Sequence, residues 1–275
     1  MLPRIEYGRT GLRVSRLCLG TGCWNPQRFA LTPEQGADLV KQAYDLGVNF
    51  IDTAIGYRTH AHVALGVKGL DRADLVINTK VGASVADARA ALEQSLRELG
   101  VDYVDSVMLH GVRSAEDLQR REGTLEALCK AKDQGLIRMV GASTHVFTGS
   151  AMRACIDDPR IEAILTLANK TGVGLKGGSY EEHVALIREA HQAGKFVIAM
   201  KVLGEGYLAD EAEEHVRWAF AQPDLDAVNL GMMSRPQIEM AAWIAAGEPV
   251  SPELRAAARV GAKREWGENF PNLYG

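Results

Sequence analysis

Eight short apolar, β-branched runs recur along the chain, and segments with helical spacing lie between them. That alternation restricts the fold more than any other feature. The runs fall at residues 17–21 (LCLGT), 49–53 (NFIDT), 74–81 (DLVINTKV), 103–109 (YVDSVML), 137–142 (IRMVGA), 161–167 (IEAILTL), 196–202 (FVIAMKV) and 226–230 (DAVNL). Between 85 and 99, Val85, Ala88, Leu92, Leu96 and Leu99 recur at three- and four-residue steps, which gives a helix one apolar face. Val184, Ile187 and Ala190 do the same within 180–191. Gly47, Gly100, Gly135 and Gly194 stand just ahead of four strand runs, where a left-handed residue closes a helix. Eight strands joined by helices and short loops predict a parallel (β/α)8 TIM barrel. Two extended pieces around Gly8 and Gly11 predict a hairpin over 4–15 that plugs one end, and a helix and tail follow the eighth strand.

Length fits this reading, because a chain of 275 residues is the usual size of one such barrel. No Pro/Ser-rich linker divides it, so residues 1–275 read as a single domain. A doubly wound sheet is weaker, since the early GTGCW is not a GxGxxG opening onto a helix. Net charge is −4 with no run of like charges, which argues against nucleic acid and anionic membrane as partners. No apolar stretch is long enough to span a bilayer, and the start lacks a secretory layout. Cys18, Cys23, Cys129 and Cys155 are scattered, as expected of reduced thiols in a cytoplasmic protein. No metal site is expected: His60 and His62 form an HxH pair without a third ligand and read as solvated loop histidines.

Polar residues stand where successive strands should end: Asp52 in NFIDTA with Tyr57 just after it, Lys80 in NTKVG, and His110 in VMLHG. The C-terminal ends of barrel strands are where such folds carry their chemistry. Carbonyl reduction by a nicotinamide needs an acid that protonates the developing alkoxide. A phenol is a poor acid near neutrality until an ammonium stabilises its phenolate. Tyr57, Lys80 and Asp52 can fill those roles, with His110 orienting the carbonyl oxygen. Taken singly each residue has a plainer reading, as a cap, a packing ring or a solvated side chain; their joint order favours the catalytic one.

The strings GRTGLRVSRLCLGTG, GVNFIDTAIGY, NTKVG and VMLHG, in register along nearly the whole chain, resemble the aldo-keto reductase superfamily. The resemblance implies a tetrad of Asp52, Tyr57, Lys80 and His110 and carboxamide contacts from Ser143 and Asn169. It further implies cofactor contacts along Met200, Lys201 and Leu203 and along Gly231, Ser234, Arg235 and Gln237. Trp24, with Tyr57 and His110, would face the substrate, whereas Cys23 reads as a small apolar filler. IAMKVLGEG and GMMSRPQIE resemble the iron–sulfur-associated bacterial and archaeal members. Their Cys-rich tail is absent here, so no iron–sulfur cluster is expected. Met200 replaces an aromatic ring that commonly stacks on nicotinamide.

At the phosphate end, Ser234 reads as an N-cap with Pro236 in the first turn and Gln237 three residues on. Gln237, Met240 and Ala241 stand where the family commonly has Arg, Glu and Asn, and Arg235 can compensate. NADP(H) is the favoured cofactor and NAD(H) the alternative. The expected protein reduces a small or sugar-type aldehyde or ketone to the alcohol, as a monomer or small homo-oligomer. The competing functions are a cofactor-binding sensor subunit and a redox-neutral lyase or epimerase on the same barrel. Trp266, Phe270 and Tyr274 in the tail are expected to fold back over the barrel mouth, the competing reading being packing on the outer helices.

Overall fold

Alternation inside each apolar run turns one set of side chains toward the barrel axis and the other toward the helices. The computed structural model describes residues 2–83, 85–145 and 149–259. A hairpin comes first, β1 (Arg4–Glu6) against β2 (Arg13–Ser15). The barrel strands are β3 (Leu17–Gly20), β4 (Phe50–Asp52), β5 (Val76–Val81), β6 (Val104–Leu109), β7 (Ile137–Thr144), β8 (Ala163–Leu167), β9 (Phe196–Met200) and β10 (Ala227–Gly231). Each pairs in parallel with its sequence neighbour, and β10 returns to β3, so the barrel closes in the expected order.

The helices are α1 (Pro33–Asp45), α2 (His60–Val67), α3 (Ala88–Leu99), α4 (Ala115–Arg120), α5 (Glu122–Asp133), α6 (Gly149–Asp157), α7 (Tyr180–Gln192), α8 (Ala212–Ala221), α9 (Arg235–Ala245) and α10 (Pro252–Ala257). Two cores result. Leu19, Ile51, Ile77, Val107, Ile164 and Val197 face outward into one large cluster with the helices. Cys18, Phe50, Val76, Met108, Leu165 and Ile198 face inward into a second. The hairpin seals that inner core from the N-terminal end. Tyr7 is fully buried, edge-on to Phe50 at 5.1 Å and to Phe196 at 4.8 Å between centroids. Its hydroxyl and that of Ser106 lie 2.6 Å apart.

Boundaries depart from the sequence reading for local reasons. The helix expected from Val85 begins at Ala88, because the Asp87 side chain accepts the Ala90 N–H and caps it there. The strand expected to reach Val202 stops at Met200, because Lys201 turns into the left-handed region at φ 59°. The chain re-enters helix soon after His110, where Ser114 caps α4. Gly47, Gly100, Gly135 and Gly194 all have positive φ, as helix-closing residues do. Among the described residues no helix is long and apolar enough to cross a membrane. Trp266, Phe270 and Tyr274 lie outside the described residues.

Candidate functional site

Strand register builds the site. Asp52 pairs with Gly20 on one side and Asn78 on the other, and Lys80 follows Asn78 on the same inward face of β5. Both Asp52 and Lys80 are buried, and the Lys80 ammonium donates to Asp52 Oδ1 at 2.6 Å and to the Thr53 carbonyl at 2.9 Å. A charge so enclosed is tolerable only when paired and hydrogen-bonded. Two amides complete the carboxylate's shell: Asn78 Nδ2 donates to Oδ1, and Asn229 Nδ2 donates to Oδ2 at 2.9 Å. Ser106 in turn donates to Asn78 Oδ1 at 2.7 Å, so a polar chain runs from Tyr7 at the barrel floor to Lys80.

Tyr57 lies on a short 3-10 turn (Ile55–Tyr57) after β4, closed by Arg58 at φ 58°. Lys80 Nζ stands 4.8 Å from the Tyr57 ring centroid. His110, first residue past β6, meets the Tyr57 ring edge-on, with centroids 5.5 Å apart and planes at 83°. Arg121 on α4–α5 holds the His110 turn by donating to the His110 carbonyl at 2.8 Å and the Gly111 carbonyl at 3.1 Å. The four tetrad residues named from the sequence therefore form one contiguous cluster.

Charge states follow from burial. Burial raises the Tyr57 pKa above its ordinary value and Lys80 draws it only part of the way back, with Asp52 working against Lys80. The expected net lowering of the phenol is thus reversed, and Tyr57 stands protonated at neutral pH. For Lys80 burial opposes the charge, but Asp52 and Tyr57 outweigh it and hold the pKa above the usual lysine range. Burial, followed by the charges of Lys80, Arg121 and Lys201, pushes His110 down to about 3. His110 is neutral.

That shift has a consequence for acid stability. The unfolded chain takes up the His110 proton near pH 6.5, but the folded chain does so only near pH 3. Below pH 6.5 the unfolded state binds more protons, so stability falls as pH falls. At about 1.4 kcal/mol per unit, His110 accounts for a loss of about 2 kcal/mol between pH 6.5 and 5. This is a ceiling, since one edge of the residue still meets solvent. Urea unfolding of the wild type and His110→Asn at both pH values should show the wild type losing more; equal losses would contradict it.

The cluster opens into a cavity lined by Gly22, Tyr57, His145, Met200, Leu203 and Asn229, continuing past Gly231 and Met233 to Gln237 at the start of α9. Gly22 packs closely on the site: a Cβ there would stand 3.3 Å from the Tyr57 ring, which would have to give by a few tenths of an ångström. At the far end Ser234 is the N-cap of α9, but its side chain makes no capping bond. Gln237 Oε1 instead accepts from the Met233 N–H at 2.7 Å, so the expected box is shifted one residue back. Arg235 is exposed and paired with Glu239 at 2.7 Å.

Other expected residues sit elsewhere. Trp24 does not face the cavity: it is fully buried, donates its indole N–H to the Met232 carbonyl at 2.8 Å and stacks on His62. Ser143 and Asn169 are fully buried as well. Ser143 Oγ accepts the Gly111 N–H at 2.8 Å, tying β7 to the His110 turn. Asn169 caps its own turn, its Oδ1 accepting from Val173 N at 3.0 Å and its Nδ2 donating to the Val173 carbonyl at 2.9 Å. His60 and His62 are buried helix residues, not solvated ones. His60 reaches Glu98 at 2.7 Å and Thr79 at 3.2 Å, and His62 reaches the Leu31 carbonyl at 2.8 Å. Among the described residues no cluster could hold a metal ion. Cys23 does line the cavity, but burial pushes its thiol up to about 12, leaving it inert near neutrality.

Asn78, Asn229, Gly22 and His145 were missed by sequence reasoning. The His145 ring lies 5.4 Å from that of His110, and burial, then Lys201, lowers its pKa well below the usual imidazole value. A polar residue interrupting an apolar strand run was the available signal for Asn78 and Asn229.

Known proteins bear on this geometry. The sequence model of the Aldo/keto reductase family matches residues 16–254. The chain is 30% identical over 146 residues to the L-galactose dehydrogenase of Arabidopsis thaliana, covering 49% of this chain and 46% of that protein. It is 30% identical over 133 residues to an aldo-keto reductase of Mycobacterium avium, covering 46% and 45%. The matched stretch thus spans about half the length of these relatives. With the methylglyoxal reductase DkgB of Escherichia coli O157:H7 the identity is 29% over 255 residues, covering 82% of this chain and 94% of the relative. A solved structure from Pseudomonas aeruginosa, described as an aldo-keto reductase, superposes with a TM-score of 0.74 at 26% identity, covering 89% of this chain and 95% of that one.

Proposed function

We propose that this chain, which belongs to the aldo/keto reductase family, reduces small aldehydes or ketones to alcohols with a nicotinamide cofactor. The observation that carries the reading is the buried Asp52–Lys80–Tyr57 cluster with neutral His110 against it, whose Asp52 and Tyr57 line a cavity. The residues fit a dinucleotide. The polar cluster lines the cavity, and so does Gln237 from the start of α9, a helix whose N-cap Ser234 makes no side-chain capping bond and whose first turn suits a phosphate. Met200 would lie against the nicotinamide, Leu203 and Gly231 along the cofactor's length, and Gln237, with Ser234 as the N-cap of its helix, at the phosphate end.

A reduced nicotinamide supplies hydride to the carbonyl carbon when bound. The protein's part is proton delivery and electrostatics. Tyr57 gives its phenolic proton to the carbonyl oxygen as that atom gains negative charge. Lys80 remains an ammonium and stabilises the phenolate left behind, while Asp52, fixed by Asn78 and Asn229, holds the ammonium in place. His110, uncharged, presents an imidazole to orient the oxygen.

Arg235, in the first turn of α9, is the cation that would meet the adenosine 2′-phosphate, which favours NADPH, and its pairing with Glu239 makes the preference over NADH modest. The test is a fluorescence titration with NADPH and NADH, followed by turnover on carbonyls including methylglyoxal and, in the reverse direction, L-galactose. Micromolar binding with turnover is the expected result. Absence of binding by either cofactor would overturn the reading.

A further inference from the structure

Two polar residues stand inside the barrel where packing asks for none. Asn78 on β5 pairs in register with Asp52 on one side and Ser106 on the other, so the three form an inward-facing row across neighbouring strands. Phe50, Val76, Met108 and Met139 around that row belong to the apolar inner core. An apolar side chain at 78 or 106 would extend this core, yet both positions carry fully buried polar groups. Beneath them the hairpin holds Tyr7 in place. Its N–H donates to the Leu12 carbonyl at 2.8 Å, and its carbonyl accepts from the Thr10 hydroxyl at 2.6 Å.

The hydrogen bonds through this row run one way. A carboxylate only accepts, so Asn78 must turn its Nδ2 to Asp52 and its Oδ1 to Ser106. Ser106 has one hydroxyl hydrogen and gives it to that Oδ1 at 2.7 Å. Its oxygen is left to accept, which makes the Tyr7 phenol the donor in the 2.6 Å contact between the two hydroxyls. Reversal would strand the buried Tyr7 hydrogen, because among the described residues Ser106 is that hydroxyl's one partner. The row ends on Asp52 Oδ1, the oxygen that also takes the Lys80 ammonium at 2.6 Å. Asn229 holds the other oxygen at 2.9 Å, so the carboxylate cannot swing away from Lys80.

We propose that Tyr7, Ser106 and Asn78 are positioning residues, through which the hairpin at the barrel floor aims Asp52 and so seats Lys80 beside Tyr57. The inference rests on the reductase reading above and adds to it three residues, none of which lines the cavity.

Tyr7→Phe removes the terminal hydroxyl alone, and Ser106→Ala removes the link. Each should lower kcat about two- to tenfold, the range of a neutral hydrogen bond, while KM and NADPH affinity stay within about twofold of wild type. The double variant should fall no further than Ser106→Ala, because Tyr7 acts through Ser106. A second readout needs no turnover. The Lys80 ammonium, observed by heteronuclear NMR and assigned by its absence in Lys80→Arg, should exchange its hydrogens with solvent about two- to tenfold faster in both single variants. A lower kcat together with faster exchange upholds the proposal. Either quantity unchanged in Tyr7→Phe, multiplied losses in the double variant, or an equal loss of NADPH affinity overturns it. Should Tyr7→Phe not fold, the same two quantities in Ser106→Ala decide. If the wild type reduces no carbonyl, the reductase reading fails separately and ammonium exchange decides alone: faster exchange in Tyr7→Phe upholds the positioning row, and unchanged exchange removes it.

Discussion

Tyr57→Phe should lose turnover by about 10²–10⁴-fold, the range for removing a positioned general acid, and leave NADPH affinity nearly intact. The substitution deletes one oxygen from a ring held by packing, so the structural disturbance is small. The phenol is protonated near neutrality because burial outweighs Lys80, which suits a donor. Its hydroxyl matters when negative charge develops on the carbonyl oxygen, so kcat should fall and KM should change little. Steady-state kinetics with any carbonyl the wild type accepts, alongside the fluorescence titration, is the check. Turnover within threefold of wild type would remove Tyr57 from the proton-transfer step. A matching loss of NADPH affinity would instead mean that the ring serves mainly to shape the cavity.

The tetrad was legible in the sequence because strand ends in a parallel barrel converge on one face. Asp52, Lys80 and His110 each follow an apolar run, so the barrel topology alone brings them together. Asn229 was not legible by that logic. It lies 177 residues from Asp52, and only the closure of β10 onto β3 makes them neighbours. The Arg28–Glu205 contact is hidden in the same way, since two loops from opposite ends of the chain meet above the barrel. Trp24 was misplaced for a different reason. An aromatic residue in a loop near a barrel mouth can face the cavity or anchor the loop, and the indole's N–H found the Met232 carbonyl beneath. His60 and His62 look polar in sequence, yet α2 packs against α1 and α3, and the two rings are buried with partners. The phenol's charge state was misread because proximity to an ammonium is visible in a motif and the extent of burial is not.

Lys80→Met should destabilise the protein by about 3–5 kcal/mol, the usual consequence of removing one partner from a buried ion pair. Lys80 is completely enclosed, and without it the Asp52 carboxylate keeps only the Asn78 and Asn229 amides. Methionine fills nearly the same volume, so lost packing is a minor part. The cost is the stranded carboxylate, and that makes a sharper prediction available. The double variant Asp52→Leu/Lys80→Met removes both charges and should recover part of the loss, ending more stable than the single variant. Its recovery will be incomplete, because Asn78 and Asn229 then lose their acceptor inside the barrel. Urea unfolding of wild type, both single variants and the double variant closes the cycle. A single-variant cost below about 1 kcal/mol would mean that the pair is far more hydrated than its burial implies. Both variants should also be inactive, since in the proposed mechanism Lys80 supplies the charge that stabilises the Tyr57 phenolate. Stability and turnover therefore separate cleanly: the double variant regains the first and not the second, which marks the buried pair as retained for chemistry rather than for folding.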